Sequence, residues 1–260
     1  MAIINSQIVS ENNLIFIYRG SEVLVSTEEF HRLPDFSVYY KFIEHQLATD
    51  WFTETNHNYS ALLLESGAPA PNGWKWVPIR ELFAQNHIKI NSLSRGLALL
   101  NWRKRSRFCG KCGNQLHDST DETAKVCLSC GSVYYPTISP AMIVLVQKDD
   151  KILLARHKQR NTDVFTCLAG YVEAGETIED CVSREVQEEA GIEITNIRYA
   201  GSQSWPYPDQ IMLAYYADWK SGDLVPEANE ISELKWFSRD KLPSIPQPGS
   251  MAYRLIMGLI

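Results

Sequence analysis

The sequence predicts an α/β (α+β) chain: a small α/β N-terminal domain, a cysteine-rich middle segment and a larger mixed core domain. Three observations carry that prediction. Ala141-Met142-Ile143-Val144-Leu145-Val146 is a near-continuous apolar run, the pattern of a strand buried on both faces of a sheet. Thr177 with Asp180 makes a helix start, and Gly191 stands where that helix should stop. Between the N-terminal elements and this core lie two Cys-x2-Cys pairs in a stretch of glycine and small polar residues.

The N-terminal domain is placed at residues 1–104. Leu14 to Tyr18 and Glu22 to Val25 flank Arg19-Gly20-Ser21 and read as a hairpin. Ser60 to Leu64 is a further strand, closed by Ser66-Gly67. Pro78 precedes a predicted helix over Ile79 to Asn86, and a second helix starts after Ser92 or Ser94, with serine as its cap, and runs to about Arg105. None of these elements carries nameable chemistry, so the domain is assigned a structural or dimerising role. The middle segment spans 105–136. The core domain, 137–260, opens with the 141–146 strand, turns at Lys148-Asp149-Asp150 into a strand over Lys151 to Ala155, and alternates further strands with one strong helix. Pro243 to Gly249 is a proline-rich loop.

Composition excludes several classes of function. The 260 residues are 45% hydrophobic and 22% charged, with a formal net charge of -6. An acidic chain lacks the basic footprint of a general nucleic-acid binder. No apolar run approaches the roughly 20 residues that span a bilayer, and Met1 to Gly20 alternate apolar and polar residues rather than forming a signal peptide. A cytoplasmic location and reduced cysteines are expected. The six cysteines are then ligands or core residues rather than a disulfide frame.

Cys109-Gly-Lys-Cys112 and Cys127-Leu-Ser-Cys130 are separated by 14 residues, and each pair is followed by glycine, Gly113 and Gly131. Each pair forms a knuckle whose thiolates point inward, with glycine permitting the left-handed backbone the turn needs. Two knuckles make a closed four-sulfur site, the arrangement of structural Zn²⁺ with no open position for catalysis. The alternatives are a redox dithiol or core cysteines, which a spaced double pair disfavours. Cys167 and Cys181 read as buried small hydrophobes. Arg103-Lys104-Arg105-Ser106-Arg107, just before the knuckles, is either a nucleic-acid contact or, as the acidic whole favours, a solvated interdomain face.

The segment 170–192 carries the chemistry. Gly170 is followed after five residues by Glu176, and after seven more by Arg184-Glu185-Val186-Gln187-Glu188-Glu189-Ala190-Gly191-Ile192. Glu185, Glu188 and Glu189 fall at i, i+3 and i+4, on one helix face. Three carboxylates so placed repel one another unless cations neutralise them, and hard oxygen donors without nearby His or Cys select Mg²⁺ or Mn²⁺. Arg184 is placed to brace a carboxylate such as Glu176, and Gly170 and Gly175 are expected to let the preceding loop turn tightly. The bland reading, a glutamate-rich surface helix, does not account for the glycines and arginine at fixed spacing.

That stretch resembles the Nudix box at all its defining positions. The resemblance implies an α/β/α sandwich and hydrolysis of a nucleoside diphosphate linked to another moiety. Glu185 and Glu189 would be metal ligands, Glu188 would share ligation or base duty, and Gly170, Glu176, Arg184 and Gly191 would support the box. Which carboxylate takes the proton stays open. Downstream, Ser202-Gln203-Ser204-Trp205-Pro206-Tyr207-Pro208-Asp209-Gln210 reads as a stiff loop presenting flat faces suited to stacking a base. It is similar to the SQPWPFPxS signature of the NADH pyrophosphatase branch of Nudix hydrolases, with departures at Ser204, Tyr207 and Gln210.

The order of domains matches the same branch. It implies cleavage of NAD(H) to nicotinamide mononucleotide and AMP, removal of NAD caps from RNA 5′ ends in bacterial members, and a homodimer. By resemblance, Glu230 is a late metal ligand and the Ala169 carbonyl contributes to the metal. Residues 203–210, Arg80, Glu122, Tyr135 (reaching a base across the dimer) and Ala252 contact substrate. His31, His45, His57, His87, His117 and His157 form no ligand spacing. The competing assignments are a Nudix hydrolase for ADP-ribose or another dinucleotide, and a nucleic-acid-binding regulator using the ribbon on an inactive scaffold.

Overall fold

Alternation along Leu14–Arg19 (β1) sends Phe16 and Tyr18 into one apolar cluster and Ile15 and Ile17 into another, so this strand is buried on both faces. β1 turns at Gly20-Ser21 into Glu22–Ser26 (β2), pairing Tyr18 with Val23, as the hairpin pattern requires. Ala48–Glu54 (β3), Tyr59–Leu64 (β4) and Trp74–Pro78 (β5) complete a five-stranded sheet in the order β3-β4-β1-β2-β5, with β1 and β4 parallel. Tyr39 and Phe42 of Phe36–Glu44 (α1) cover one face. Leu93, Leu97 and Leu100 of Ile90–Arg105 (α2) cover the other. The computed structural model describes residues 13–29, 32–54, 57–84, 89–158 and 163–260. The alternating N-terminal residues 1–12, His31 and His87 lie outside them.

Two expectations in this unit need correction. The helix expected over 79–86 is a single 3-10 turn, Ile79–Leu82, within the described residues, and Asn86 falls outside them. Ile79 and Leu82, three apart, are both fully buried, and that spacing suits three residues per turn better than 3.6. Helix α2 begins at Ile90 without a side-chain cap, so Ser92 and Ser94 lie inside it. Fully burying Leu93 contributes about 2 kcal/mol, against about 1 kcal/mol for a serine cap. Packing of Ile90 and Leu93 therefore carries the helix past both serines and buries Ser94.

After α2, His117–Asp118 (β6), Lys125–Val126 (β7) and Val133–Tyr134 (β8) form a separate three-stranded sheet. By internal contacts the chain divides into two compact units. The first runs to Ile138 and includes Pro206–Asp209; the second comprises Ser139–Trp205 and Gln210–Ile260.

The second unit is built on Ser139–Lys148 (β9), which contains the apolar run. Met142, Val144 and Val146 pack on one side of the sheet, Ile143 and Leu145 on the other. Lys151–His157 (β10), Leu168–Tyr171 (β11), Glu193–Trp205 (β12), Gln210–Ser221 (β13) and Ile231–Ser238 (β14) join it. The order is β12-β13-β9-β10-β14, with β11 also paired to β9 and β13 parallel to β9. Cys181, Val182, Val186 and Ala190 of Ile178–Ala190 (α3) cover one face. Met251, Leu255 and Ile256 of Met251–Ile256 (α4) cover the other, which makes an α/β/α sandwich. No helix among the described residues is long and apolar enough to cross a membrane.

Candidate active site and metal centre

Helix α3 starts where the sequence places it. The Thr177 hydroxyl accepts from the Asp180 amide at 3.2 Å, and Gly191 closes the helix in left-handed backbone at φ 71°. Its apolar stripe holds it against the sheet beside β11. The three glutamates do not share one environment: Glu189 is buried, the Glu185 side chain is 14% exposed, and that of Glu188 is 57% exposed at the rim. The Ala169 amide donates to Glu189 Oε2 at 3.3 Å, tying strand to helix.

Gly170 is needed for a reason the spacing does not reveal. It lies in strand β11, not in a turn, and a Cβ there would stand 1.9 Å from the Glu185 carboxyl carbon. The missing side chain makes the cradle in which that carboxylate sits. Gly175, by contrast, occupies the left-handed region at φ 89°, as a tight loop requires.

Arg184 ties the segment together. Its Nε and Nη2 donate to the two oxygens of Glu176 at 2.8 and 3.0 Å. Nη1 donates to Glu185 Oε1 at 2.8 Å and Glu188 Oε2 at 3.0 Å, and Nη2 also reaches the Tyr171 carbonyl at 3.0 Å. The guanidinium, joined by the Glu173 amide, holds the Glu176 carboxyl down to about 2. Burial pushes Glu185 above the usual carboxylate range, against the pull of Arg184. The largely buried, all-oxygen donors of Glu185 and Glu189 suit a hard divalent cation, and the glycine cradle gives the Glu185 carboxylate its place.

Glu230 is exposed just before β14, on a segment docked to the end of α3: Val225 and Glu227 amides donate to the Ala190 and Glu189 carbonyls at 2.9 and 3.2 Å. No three carboxylates among the described residues approach within 4.8 Å; the cysteines do. Cys109 and Cys130 sulfurs are 3.6 Å apart, those of Cys112 and Cys127 3.5 Å. Tetrahedral Zn–S bonds of about 2.3 Å put sulfurs about 3.8 Å apart, so the quartet fits zinc. The two knuckles repeat one geometry: Gly113 and Gly131 amides donate to Cys109 and Cys127 carbonyls at 2.8 and 2.9 Å, with φ of 75° and 72°. Tyr134 Oη lies 3.2 Å from Cys109 Sγ, and Asn114 Nδ2 donates to Cys112 at 3.4 Å. Cys167 and Cys181 lie in the core, where burial pushes both thiols up to about 12.

The 202–210 stretch is not a free loop. Ser202, Gln203, Ser204 and Trp205 belong to β12 and pair with Leu213, Met212, Ile211 and Gln210 of β13. Only Pro206, Tyr207, Pro208 and Asp209 form the turn, with a cis bond between Tyr207 and Pro208. The half-buried Tyr207 ring packs on the apolar cluster of the first unit, and its hydroxyl accepts from the Arg80 amide at 2.9 Å. Buried Asp209 accepts from Arg105 Nη2 at 2.6 Å. These contacts fix Tyr207 and Asp209 within the first unit, leaving the Tyr207 ring half-buried. Gln203 Nε2 donates to the Gly249 carbonyl at 2.8 Å.

The remaining positions fall in different places. Tyr135 is exposed in the ribbon and donates to Glu122 Oε1 at 2.9 Å, which brings those two together. Ala252 lies on α4 with its methyl in the core. Arg103 is buried between Asp50 and Asp118 at 2.8 and 2.9 Å, so with Arg105 it spends half the arginine–lysine run on internal ion pairs. Tyr171 went unnoticed in the sequence. It is exposed beside Gly170 and its hydroxyl meets Gln210 Nε2; an aromatic directly after the box glycine was the available signal.

Two family descriptions match in tandem: the NADH pyrophosphatase zinc ribbon domain over residues 104–135 and the NUDIX domain over 137–255. A protein of Chromobacterium violaceum named NAD-capped RNA hydrolase NudC is 45% identical over 189 residues, covering 72% of this chain and 71% of the relative. One of Salmonella typhi with the same name is 43% identical over 178 residues, covering 68% and 69%. A solved NUDIX hydrolase from Nitrosomonas europaea is 23% identical with a TM-score of 0.45, covering 53% of this chain and 80% of that one. With the zinc ribbon and then the NUDIX domain matched along the chain, and a relative 45% identical over 71% of its own length, the chain belongs to the Nudix family, in the branch that carries the NADH pyrophosphatase zinc ribbon.

Proposed function

We propose that this chain is a divalent-cation-dependent diphosphatase that cleaves NAD(H) into nicotinamide mononucleotide and AMP and removes NAD from capped RNA 5′ ends. The observation that carries the reading is the Glu185 carboxylate seated against the Gly170 backbone, with buried Glu189 one turn along the same helix. The relatives named NAD-capped RNA hydrolase support the choice of substrate.

Glu185, Glu189, Glu230 and the Ala169 carbonyl would hold Mg²⁺ or Mn²⁺. When bound, the cation polarises the diphosphate oxygens and lowers the pKa of an attacking water. The chain itself supplies position. Arg184 holds Glu176, Glu185 and Glu188 in one fork-shaped network, fixing carboxylates that would otherwise repel one another. Glu188, open to solvent at the rim, and Glu189, buried, are the two candidates for taking the water proton. The pH–rate profiles of Glu188→Gln and Glu189→Gln separate them: the variant that loses its acid limb names the base. The likeness of residues 203–210 to the NADH pyrophosphatase signature supports Gln203, Ser204, Trp205, Pro206, Tyr207, Pro208, Asp209 and Gln210 as substrate contacts, with Arg80, Glu122, Tyr135 and Ala252 as further ones. Zn²⁺ would be held by Cys109, Cys112, Cys127 and Cys130, which leaves no coordination position for substrate.

The same reading takes the chain as three parts, 1–104, 105–136 and 137–260, acting as a cytoplasmic homodimer. Exposed Phe108, Leu128, Val133, Tyr135 and Ile138 support self-association, and non-bonded sulfur distances of 3.5 and 3.6 Å support reduced cysteines. Light scattering of the zinc-loaded protein tests the dimer. The catalytic reading is tested by kcat/KM for NADH, NAD, ADP-ribose and NAD-capped RNA assayed side by side with Mg²⁺ and Mn²⁺. Nicotinamide mononucleotide and AMP are the expected products, and a clear preference for ADP-ribose overturns the assignment.

A further inference from the structure

The segment between β13 and β14 has no strand of its own, yet one side chain organises the turn at its end. Glu227 Oε2 accepts the Asn229 amide at 2.8 Å and the Glu230 amide at 2.7 Å, while Oε1 accepts Asn229 Nδ2 at 2.8 Å. The Glu227 amide donates to the Glu189 carbonyl at 3.2 Å, and its carbonyl accepts the Ile231 amide at 3.0 Å. The Lys158 amide donates to the Glu230 carbonyl at 2.8 Å, and its ammonium meets the Ala228 carbonyl.

The last carbonyls of a helix have no partner within it. Here Glu189 and Ala190 find theirs in the Glu227 and Val225 amides, so the segment is seated on the end of the helix that bears Glu189. Two successive hydrogen bonds then lead from Glu189 to Glu230: the Glu189 carbonyl to the Glu227 amide, and the Glu227 carboxylate to the Glu230 amide. We propose that Glu227 is a positioning residue that sets Glu230 relative to Glu189 through this relay, so that the two carboxylates meet one divalent cation. This rests on the reading of Glu230 as a metal ligand. Glu227 is not itself assigned as a ligand, because both its oxygens already accept bonds from the segment it folds. Charge-assisted acceptance of two backbone amides is stronger than its neutral counterpart, so an exposed segment can hold one shape.

The experiment uses the full-length, zinc-loaded protein and Mn²⁺ as probe, its free concentration read by electron paramagnetic resonance. Glu227→Ala is expected to weaken Mn²⁺ binding about ten-fold or more, the range for losing a group that orients a ligand. Hydrogen exchange at the 229 and 230 amides should accelerate in the same variant. Glu227→Gln keeps a neutral acceptor and should recover part of both effects, and it serves if the alanine variant does not fold. Unchanged exchange at 229 and 230 in both variants overturns the proposal. So does faster exchange at unchanged Mn²⁺ affinity, provided Glu230→Gln does weaken binding. Wild-type Mn²⁺ affinity in Glu230→Gln instead removes Glu230 from the metal site, and the underlying reading falls first.

Discussion

Replacing Gly170 by alanine separates two costs that usually travel together. The new Cβ would stand 1.9 Å from the Glu185 carboxyl carbon and 2.0 and 2.3 Å from its oxygens, where ordinary contact begins at 3.4 Å. The carboxylate must retreat by about 1.5 Å, taking it off the cradle and away from Arg184 Nη1, now at 2.8 Å. Backbone would resist such a displacement, but this is the far end of a flexible side chain. The fold therefore yields cheaply, by about 1 kcal/mol or less, the range for a substitution that opens no cavity and buries no unpaired group. The site does not, since an error of about 1 Å in a positioned group costs on the order of 100-fold in rate, or about 2.7 kcal/mol of barrier. The assay is kcat and Mn²⁺ affinity for Gly170→Ala, with a thermal melt alongside. A melt within a few degrees of wild type and a kcat lowered about 100-fold is expected. Wild-type kcat/KM would refute the cradle, and a collapsed melt would show that the glycine serves the fold instead.

Three further outcomes follow from the geometry. Glu176 has an ordinary carboxyl value of 4.5 when unfolded and about 2 when folded, so its pairing with Arg184 stabilises the fold above pH 4.5 and is lost as pH falls toward 2; acid unfolding of Glu176→Gln should lack that limb below pH 4.5. Cys127→Ser, at a fully buried position, should lower zinc content from about one per chain and lower the melting temperature, as should a strong chelator acting on the wild type. Arg103→Ala strips Asp50 of its arginine partner in a mostly buried setting while Asp118 keeps Lys125 at 3.1 Å, so a urea titration should show about 2 kcal/mol of lost stability.

Local patterns were legible wherever one residue type has one dominant use. Thr177 caps and Gly191 ends α3 because each side chain, or its absence, acts on the backbone within one turn. The 141–146 run is a doubly covered strand because nothing else buries six successive apolar residues so economically. Where two local signals competed, long-range packing chose. Ser92 and Ser94 are good caps, yet Leu93 and Leu97 hold the helix against the N-terminal sheet and the serines are carried inside. Trp205 and Tyr207 sit two apart in one aromatic motif. Strand pairing takes the first, and burial in the first unit takes the second.

By itself, then, the sequence carried the outline of the site: four thiols spaced for zinc, and a helix whose glutamates, arginine and flanking glycines suit a hard cation. Those are properties of residue type and short spacing, which survive without knowledge of the fold. Only the tertiary structure decided why Gly170 must lack a side chain, which glutamate is buried, and that Glu227 links the end of α3 to Glu230. Each depends on a contact between segments distant along the chain or on the depth of a residue beneath the surface, and neither quantity is written in local spacing.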